Sequence, residues 1–189
     1  MIFLILFIVI ISVIALFSFP RFSPIPYFPS NMKDRENILK ALSLKNSQTI
    51  IDLGAGDGVV VFEAACKSWR RGLDTRYIAL EINPILVAIM WVKWFFHPNK
   101  KNIRIVWGNM FEFNFKNVTG YMLHVTCYLY ISPWLIEKVI SRIKKQLPHA
   151  QFVSYYYSIK SMKGRENVLK GVHDVYMYLS DPFEVSNER

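Results

Sequence analysis

Two residue types, cysteine and glycine, are scarce in this 189-residue chain. There are only two cysteines, Cys66 and Cys127, both in apolar surroundings and without the paired spacing of a zinc site or a disulfide framework. We expect both to be reduced core residues. No cluster of acids or histidines shows metal-ligand spacing either, so no metal site is predicted. Glycine is the second scarce type, with eight in the whole chain.

Charge is absent from the first twenty residues, where Ser12 and Ser18 are the polar side chains. About 20 apolar residues suffice for a helix that spans a bilayer, and the segment lacks the basic start and cleavage site of a signal peptide. We therefore expect residues 1–20 to form a single-pass transmembrane anchor. Basic residues beside a membrane helix favour the cytoplasmic side, so the rest of the chain is expected to face the cytoplasm.

The net charge of +9 lies entirely after this segment. Its basic residues occur as scattered pairs, at 70–71, 100–101 and 144–145, and not as a tract with interleaved aromatics. We therefore expect no nucleic-acid partner. An excess of Lys and Arg could instead hold the domain against anionic lipid.

Three of the eight glycines, Gly54, Gly56 and Gly58, lie within five positions directly after an apolar strand-like run. A glycine turn between a buried strand and a helix is where open α/β sheets hold nucleotide-like cofactors. The spacing departs from the dinucleotide fingerprint, because Val59 stands where the third glycine belongs, and no phosphate-loop Lys follows. Asp52 precedes the loop, and a carboxylate there disfavours a pyrophosphate but could face a cation or an amine. A purely structural glycine turn is the alternative.

A second apolar run, residues 77–80, ends in Glu81 and is followed by Asn83-Pro84, a helix-start signal. With the helical composition of residues 59–69, this predicts a β-α-β unit. A carboxylate at the end of its second strand can accept both hydroxyls of a ribose. The alternative is a surface Glu favoured by the dipole of the following helix.

The pattern Asp-x-Gly-x-Gly-x-Gly at 52–58 resembles motif I of the class I S-adenosylmethionine-dependent methyltransferases. Together with Tyr-x-Pro-Ser at 27–30 and Glu-Ile-Asn-Pro at 81–84, it is similar to the small protein-lysine methyltransferases of the ATP synthase c-subunit and adenine nucleotide translocase type and their archaeal relatives. The resemblance covers about residues 26–180. It implies a Rossmann-like, doubly wound α/β fold with a mostly parallel seven-stranded sheet, and S-adenosylmethionine as cofactor.

The resemblance also implies roles for individual residues. Asn109 stands where the family usually has an acidic residue near the adenine, and an amide can still pair with the adenine amino group. The resemblance places Met110 beside Asn109 near the adenine, and Glu81 at the ribose. The methionine end of the cofactor would be held by Asp52, Gly54, Gly56 and Asp57. The segment next to the active site would contain Tyr27, Pro29 and Ser30. Tyr27 is our candidate catalytic residue.

The predicted organisation is an anchor at 1–20, a proline-rich segment at 21–31, the methyltransferase domain at 32–182 and a tail at 183–189. Four prolines keep the second segment extended, and it is either a semi-rigid linker or a lid over the cofactor.

The sequence predicts a membrane-anchored protein-lysine N-methyltransferase, with an integral membrane protein as one candidate substrate. After the fourth predicted strand, Ser132-Pro133-Trp134 replaces the Asp/Asn-Pro-Pro-Tyr/Phe of enzymes that methylate nucleobase or amide nitrogens, which counts against such substrates. Methylation of a small molecule or lipid headgroup by the same fold is one alternative. A cofactor-binding membrane module without turnover is another. Phe28, Trp134, Tyr155 and Tyr157 could form aromatic walls for the acceptor, or could be core residues.

Overall fold

The structure, a computed structural model, describes residues 1–18, 28–119 and 124–179. Within these ranges, strands and helices alternate as in an α/β protein. The strands are β1 (Gln48–Leu53), β2 (Arg76–Glu81), β3 (Ile103–Trp107), β4 (His124–Leu129), β5 (Gln151–Tyr155), β6 (Glu166–Leu169) and β7 (Val175–Tyr178). The helices are α1 (Ile2–Ser18), α2 (Arg35–Ala41), α3 (Val59–Arg70), α4 (Pro84–Phe96), α5 (Lys116–Thr119) and α6 (Pro133–Gln146), with 3-10 turns at Met32–Asp34, Lys100–Asn102 and Lys160–Met162.

The seven strands form one sheet in the order β3-β2-β1-β4-β5-β7-β6. The first five of these are parallel, and β7 runs antiparallel to both β5 and β6. The predicted Rossmann-like, mostly parallel seven-stranded sheet is thereby confirmed. The strand order reverses between β1 and β4, and open α/β sheets bind ligands at the carboxyl ends of the strands at such a switch point.

The central strand β1 is buried over its whole length because helices cover both faces of the sheet. On one face, Ile50 packs in a core with Val61 of α3 and Met90 of α4. On the other face, Ile51 packs in a second core with Ile140 of α6. Side chains that alternate along a strand point to opposite faces, which explains why this near-continuous apolar run is buried on both sides.

The predicted N-terminal transmembrane helix is wrong. Among the described residues, no helix is both long enough and apolar enough to cross a membrane. The apolar helix α1 has 17 residues. The predicted single-pass membrane localisation depended on this helix and has no support in the structure.

Two other boundaries differ from those that the sequence predicts. The apolar and aromatic run at 152–159 predicts a single strand, but β5 ends at Tyr155 because Tyr156 adopts a left-handed φ of 73°. Tyr155 and Tyr157 therefore do not form one face of a strand. The runs at 168–173 and 176–180 predict a closing antiparallel pair, which is observed as β6 and β7 with slightly different bounds. Residues 21–27 of the proline-rich segment and the tail at 183–189 lie outside the described residues.

Candidate active site

A cavity of about 800 Å³, including its open mouth, lies at the carboxyl ends of β1, β2 and β4. Nine of the ten residues assigned to the site from the sequence line this one cavity, although they are spread over residues 29–110 of the chain. They are Pro29, Ser30, Asp52, Gly54, Gly56, Asp57, Glu81, Asn109 and Met110. The tenth, Tyr27, lies outside the described residues.

The glycine loop is held against the end of β2 by its backbone. The N–H groups of Gly54 and Ala55 both donate to the carbonyl oxygen of Leu80, at 2.9 and 3.0 Å. Gly54 has a φ of 82°, and a Cβ there would lie 3.2 Å from the Met110 Cε. Gly58 has a φ of 79° at the N-cap of α3. Glycine is needed at both positions, because other residues rarely adopt this conformation.

Glu81 is buried and is bonded to the protein backbone through both carboxylate oxygens. Its Oε2 accepts a hydrogen bond from the Gly56 N–H at 2.8 Å. Its Oε1 accepts from the N–H groups of Ile82 and Asn83, at 2.9 and 2.8 Å. An ionised carboxylate has about four acceptor positions, so Oε2 keeps one for a ligand. Glu81 therefore organises the glycine loop in addition to facing the cavity.

The Asp52 carboxyl group is buried in the cavity, and its pKa is strongly raised. It is only 3% exposed, and burial, followed by the like charges of Glu81 and Asp57, raises its pKa well above the usual range. No hydrogen-bond donor among the described residues offsets these influences. A buried carboxylate without a donor is costly unless a cation pairs with it. A positively charged group at the end of β1 would offset this cost.

Asp57, in contrast, already has protein partners. Its Oδ2 lies 2.5 Å from Lys93 Nζ of α4, and its Oδ1 accepts from the Val59 N–H at 3.3 Å. The same Lys93 donates to the Asp57 carbonyl oxygen at 2.9 Å. Asp57 lines the cavity, but its contacts make it a connection between the glycine loop, α3 and α4.

Asn109 and Met110 close the cavity at the end of β3. The Asn109 Oδ1 accepts from the Phe111 N–H at 3.0 Å, and its Nδ2 donates to the Glu112 Oε1 at 3.1 Å. Both ends of this amide are thus engaged, and a ligand that donates a hydrogen bond to the amide oxygen would have to share that atom with the Phe111 N–H. Met110 is buried and packs next to Gly54.

Hydroxyl groups tie the proline-rich segment to the sheet. The Ser30 Oγ lies 3.0 Å from the Tyr128 hydroxyl of β4. The Asn31 N–H donates to the Tyr155 hydroxyl at 3.3 Å, and that hydroxyl donates to the buried Asp34 at 2.7 Å. The described end of the segment therefore forms one wall of the cavity and is attached to two strands.

Sequence reasoning missed two tyrosines of this wall, Tyr128 and Tyr130, which line the cavity at the end of β4. Burial, as the main cause, raises the pKa of both phenols, so both stay neutral. The signal that could have found Tyr128 is strand register, because it lies directly beside Asp52 in the β1–β4 pair. Among the aromatic walls predicted from sequence, Phe28 lines the cavity, while Trp134 and Tyr155 do not.

No family model matches the chain. A lysine N-methyltransferase of the ATP synthase c-subunit, from Caenorhabditis elegans, is 26% identical over 165 residues, which cover 82% of this chain and 80% of that protein. An RNA methyltransferase from Salinibacter ruber, solved in complex with S-adenosyl-L-homocysteine, superposes with a TM-score of 0.67 at 20% identity, covering 82% of this chain and 95% of that one.

A precorrin-6Y C5,15-methyltransferase from Geobacter metallireducens superposes with a TM-score of 0.53 at 17% identity, covering 76% of this chain and 84% of that one. At these identities the solved structures show the fold, and the Caenorhabditis elegans relative adds the activity class. Both agree with the resemblance seen in the glycine loop and at Glu81. The chain has the seven-stranded fold of the class I methyltransferases, and these comparisons support S-adenosylmethionine-dependent methyl transfer as its activity class, with S-adenosylmethionine as the cofactor.

Proposed function

We propose that the protein transfers a methyl group to the side-chain amine of a lysine in a protein substrate. The observation that carries this proposal is the Caenorhabditis elegans lysine N-methyltransferase, which aligns with most of the chain. The chemistry of the cavity supports it, because its charged and its neutral residues are segregated.

The charged side is suited to the cofactor. The three carboxylates that line the cavity lie at or just after the carboxyl ends of β1 and β2, namely Asp52, Asp57 and Glu81. Asp52 would pair with the ammonium of the methionine end, since it is the buried carboxylate for which the described residues provide no hydrogen-bond donor. Glu81 would accept from a ribose hydroxyl through its remaining Oε2 position, and Gly54 and Gly56 let the backbone approach the ligand. S-adenosylmethionine supplies an electrophilic methyl group on a sulfonium.

The neutral side is suited to the acceptor. Phe28 and Tyr130 line the mouth, and the cavity-lining residues that follow β4 carry no charge. A lysine with a pKa near 10.4 must lose its proton before it can act as a nucleophile, which costs about 4.6 kcal/mol at pH 7. Desolvation between aromatic rings disfavours the ammonium form and so lowers this cost. Alignment of the amine and exclusion of water provide the remaining acceleration. Tyr27 stays our proposed catalytic residue, since it adjoins this side in sequence.

The test is transfer of radiolabelled methyl groups from S-adenosylmethionine to the ATP synthase c-subunit, the substrate in the relative's name. Acid hydrolysis of the labelled protein should release methyllysine. The Asp52→Asn variant serves as the control for cofactor-dependent transfer. A lysine acceptor would be contradicted if the label were found in RNA, from which ribonuclease releases it, in a lipid extract, or in a small molecule. The protein could also bind the cofactor but transfer no methyl group, either to the c-subunit or to any component of a whole-cell extract. That result would favour a cofactor-binding module without turnover.

A further inference from the structure

Helix α4 presents an uncovered apolar surface. It has 13 residues and a single charged side chain, Lys93. One side of the helix packs on the sheet through Leu86, Val87 and Met90. The opposite side exposes five large apolar side chains, which we call the α4 face: Ile89, Trp91, Val92, Phe95 and Phe96. Val92, Phe95 and Phe96 are 64%, 63% and 79% exposed. Contiguous exposed apolar surface of this kind marks an interaction site.

Along the chain, the charges in α4 and in the turn that follows it are all positive, although the Lys93 of the helix is paired with Asp57. No acidic residue occurs between Glu81 and Glu112, and the helix and the turn after it carry Lys93, Lys100 and Lys101. The Lys100 Nζ lies 5.1 Å from the centroid of the Phe95 ring, where the cation interacts with the face of the aromatic system. Aromatic and aliphatic side chains bordered by lysines match the two layers of an anionic membrane surface, an apolar interior beneath negatively charged headgroups.

We propose that the α4 face binds the surface of an anionic lipid bilayer, with the helix lying in the plane of the interface and not crossing it. Trp and Phe side chains enter the boundary between headgroups and acyl chains, and Lys100 and Lys101 contact the headgroup phosphates. The proposal does not depend on the acceptor, because it uses none of the residues assigned to methyl transfer. Helix α4 starts at the cavity edge, where Leu86 lines the cavity, so binding would hold the cavity beside the membrane.

Co-sedimentation of the full chain with phosphatidylcholine vesicles, with and without phosphatidylserine, tests the charge dependence. Binding should be stronger to the vesicles that contain phosphatidylserine and should weaken with salt. The double variant Phe95→Glu/Phe96→Glu should reduce partitioning by about thirtyfold or more, since each charge near an anionic surface changes binding by about a factor of five. Leu179→Glu is the matched control, since Leu179 is 59% exposed and follows β7, far from α4 in the sheet.

Fluorescence quenching by brominated lipids shows which surface meets the bilayer, even if α1 also contacts it. Trp91→Phe should remove most of the quenching, whereas Trp134→Phe, which changes a more exposed tryptophan at the start of α6, should not. Unchanged quenching in Trp91→Phe, or unchanged partitioning in the double variant, would overturn the proposal. The proposal would also be overturned if the wild-type chain bound no vesicles but self-associated, and if the double variant abolished that self-association. The α4 face would then join two copies of the chain.

Discussion

Replacing Asp52 with Asn should weaken cofactor binding and stabilise the unliganded protein at the same time. The substitution keeps the shape of the side chain and removes a charge that is 3% exposed. In the unliganded protein that charge is unfavourable, because burial and the nearby Glu81 and Asp57 raise the pKa of Asp52 well above 3.8. With a cofactor cation beside it, the same charge becomes favourable. The two effects therefore have opposite signs.

The effect on stability has a defined pH dependence. An Asp whose pKa is raised by folding lowers the free energy of unfolding as the pH increases from its ordinary pKa of 3.8 to the raised value. The loss is about 1.36 kcal/mol for every pH unit between the two pKa values. Asp52→Asn removes this loss. The variant should match the wild type below pH 3.8 and exceed it above, in denaturant unfolding measured across that range.

The effect on binding has the opposite sign. Truncating one partner of a buried charge pair costs about 2–5 kcal/mol, which corresponds to about 30-fold to 5,000-fold weaker binding. Calorimetric titration with S-adenosylmethionine and S-adenosylhomocysteine separates two placements. If Asp52 pairs with the ammonium that both ligands carry, both affinities fall together. If it faces the sulfonium, only the affinity for S-adenosylmethionine falls.

Glu112→Gln is the control, since it removes one negative charge from an exposed position near the same cavity. It should change neither the affinity nor the unfolding free energy by more than a few tenths of a kcal/mol. Equal affinities of wild type and Asp52→Asn for both ligands would refute the pairing of this carboxylate with the cofactor. A variant less stable than wild type at pH 7 would refute the claim that Asp52 is an uncompensated buried charge.

Three further substitutions test the geometry around the cavity. Glu81→Gln should weaken S-adenosylmethionine binding by about 10-fold to 150-fold, since it replaces charge-assisted hydrogen bonds to the glycine loop with neutral ones; an unchanged calorimetric affinity would contradict this. Gly58→Ala should lower the unfolding free energy by more than Gly164→Ala, because both glycines have positive φ but only at Gly58 would the added Cβ clash with an α3 side chain. Tyr155→Phe should lower the stability at pH 7 by about 1–3 kcal/mol, because it removes the hydroxyl that bonds the buried Asp34. The folded-state pKa of Asp34 is lowered, so this difference should shrink as the pH falls through that pKa.

The site parts that could be predicted from sequence are those encoded locally. The glycine loop follows β1 directly, Glu81 ends β2, and both lie at the same sheet edge because the two strands are parallel. Asn83 caps α4 through its side chain, with Pro84 at the first helical position, as the sequence predicts. Each of these features depends on residues only a few positions apart, where turn and cap chemistry determines the conformation.

The parts that could not be predicted depend on register and on contacts between distant residues. Tyr128 belongs to an apolar run whose sequence is typical of any buried strand. Its place next to the cavity becomes evident only from the β1–β4 register, in which it pairs with Asp52. The ion pair between Asp57 and Lys93 joins residues 36 positions apart. The prediction for residues 1–20 depended on apolar composition alone, whereas no described helix is both long enough and apolar enough to cross a membrane.

The arrangement of charge around the cavity bears on how a lysine could become a nucleophile here. A free carboxylate close to the acceptor would stabilise the lysine ammonium and oppose its deprotonation. Asp52 lies next to the acceptor side, since its strand neighbour Tyr128 contributes to the neutral wall. Once a cofactor cation neutralises Asp52, the remaining carboxylates are engaged, Glu81 by backbone N–H groups and Asp57 by Lys93. Cofactor binding would thus convert the whole cavity into surroundings that favour a neutral amine, which couples the two substrates without any dedicated base.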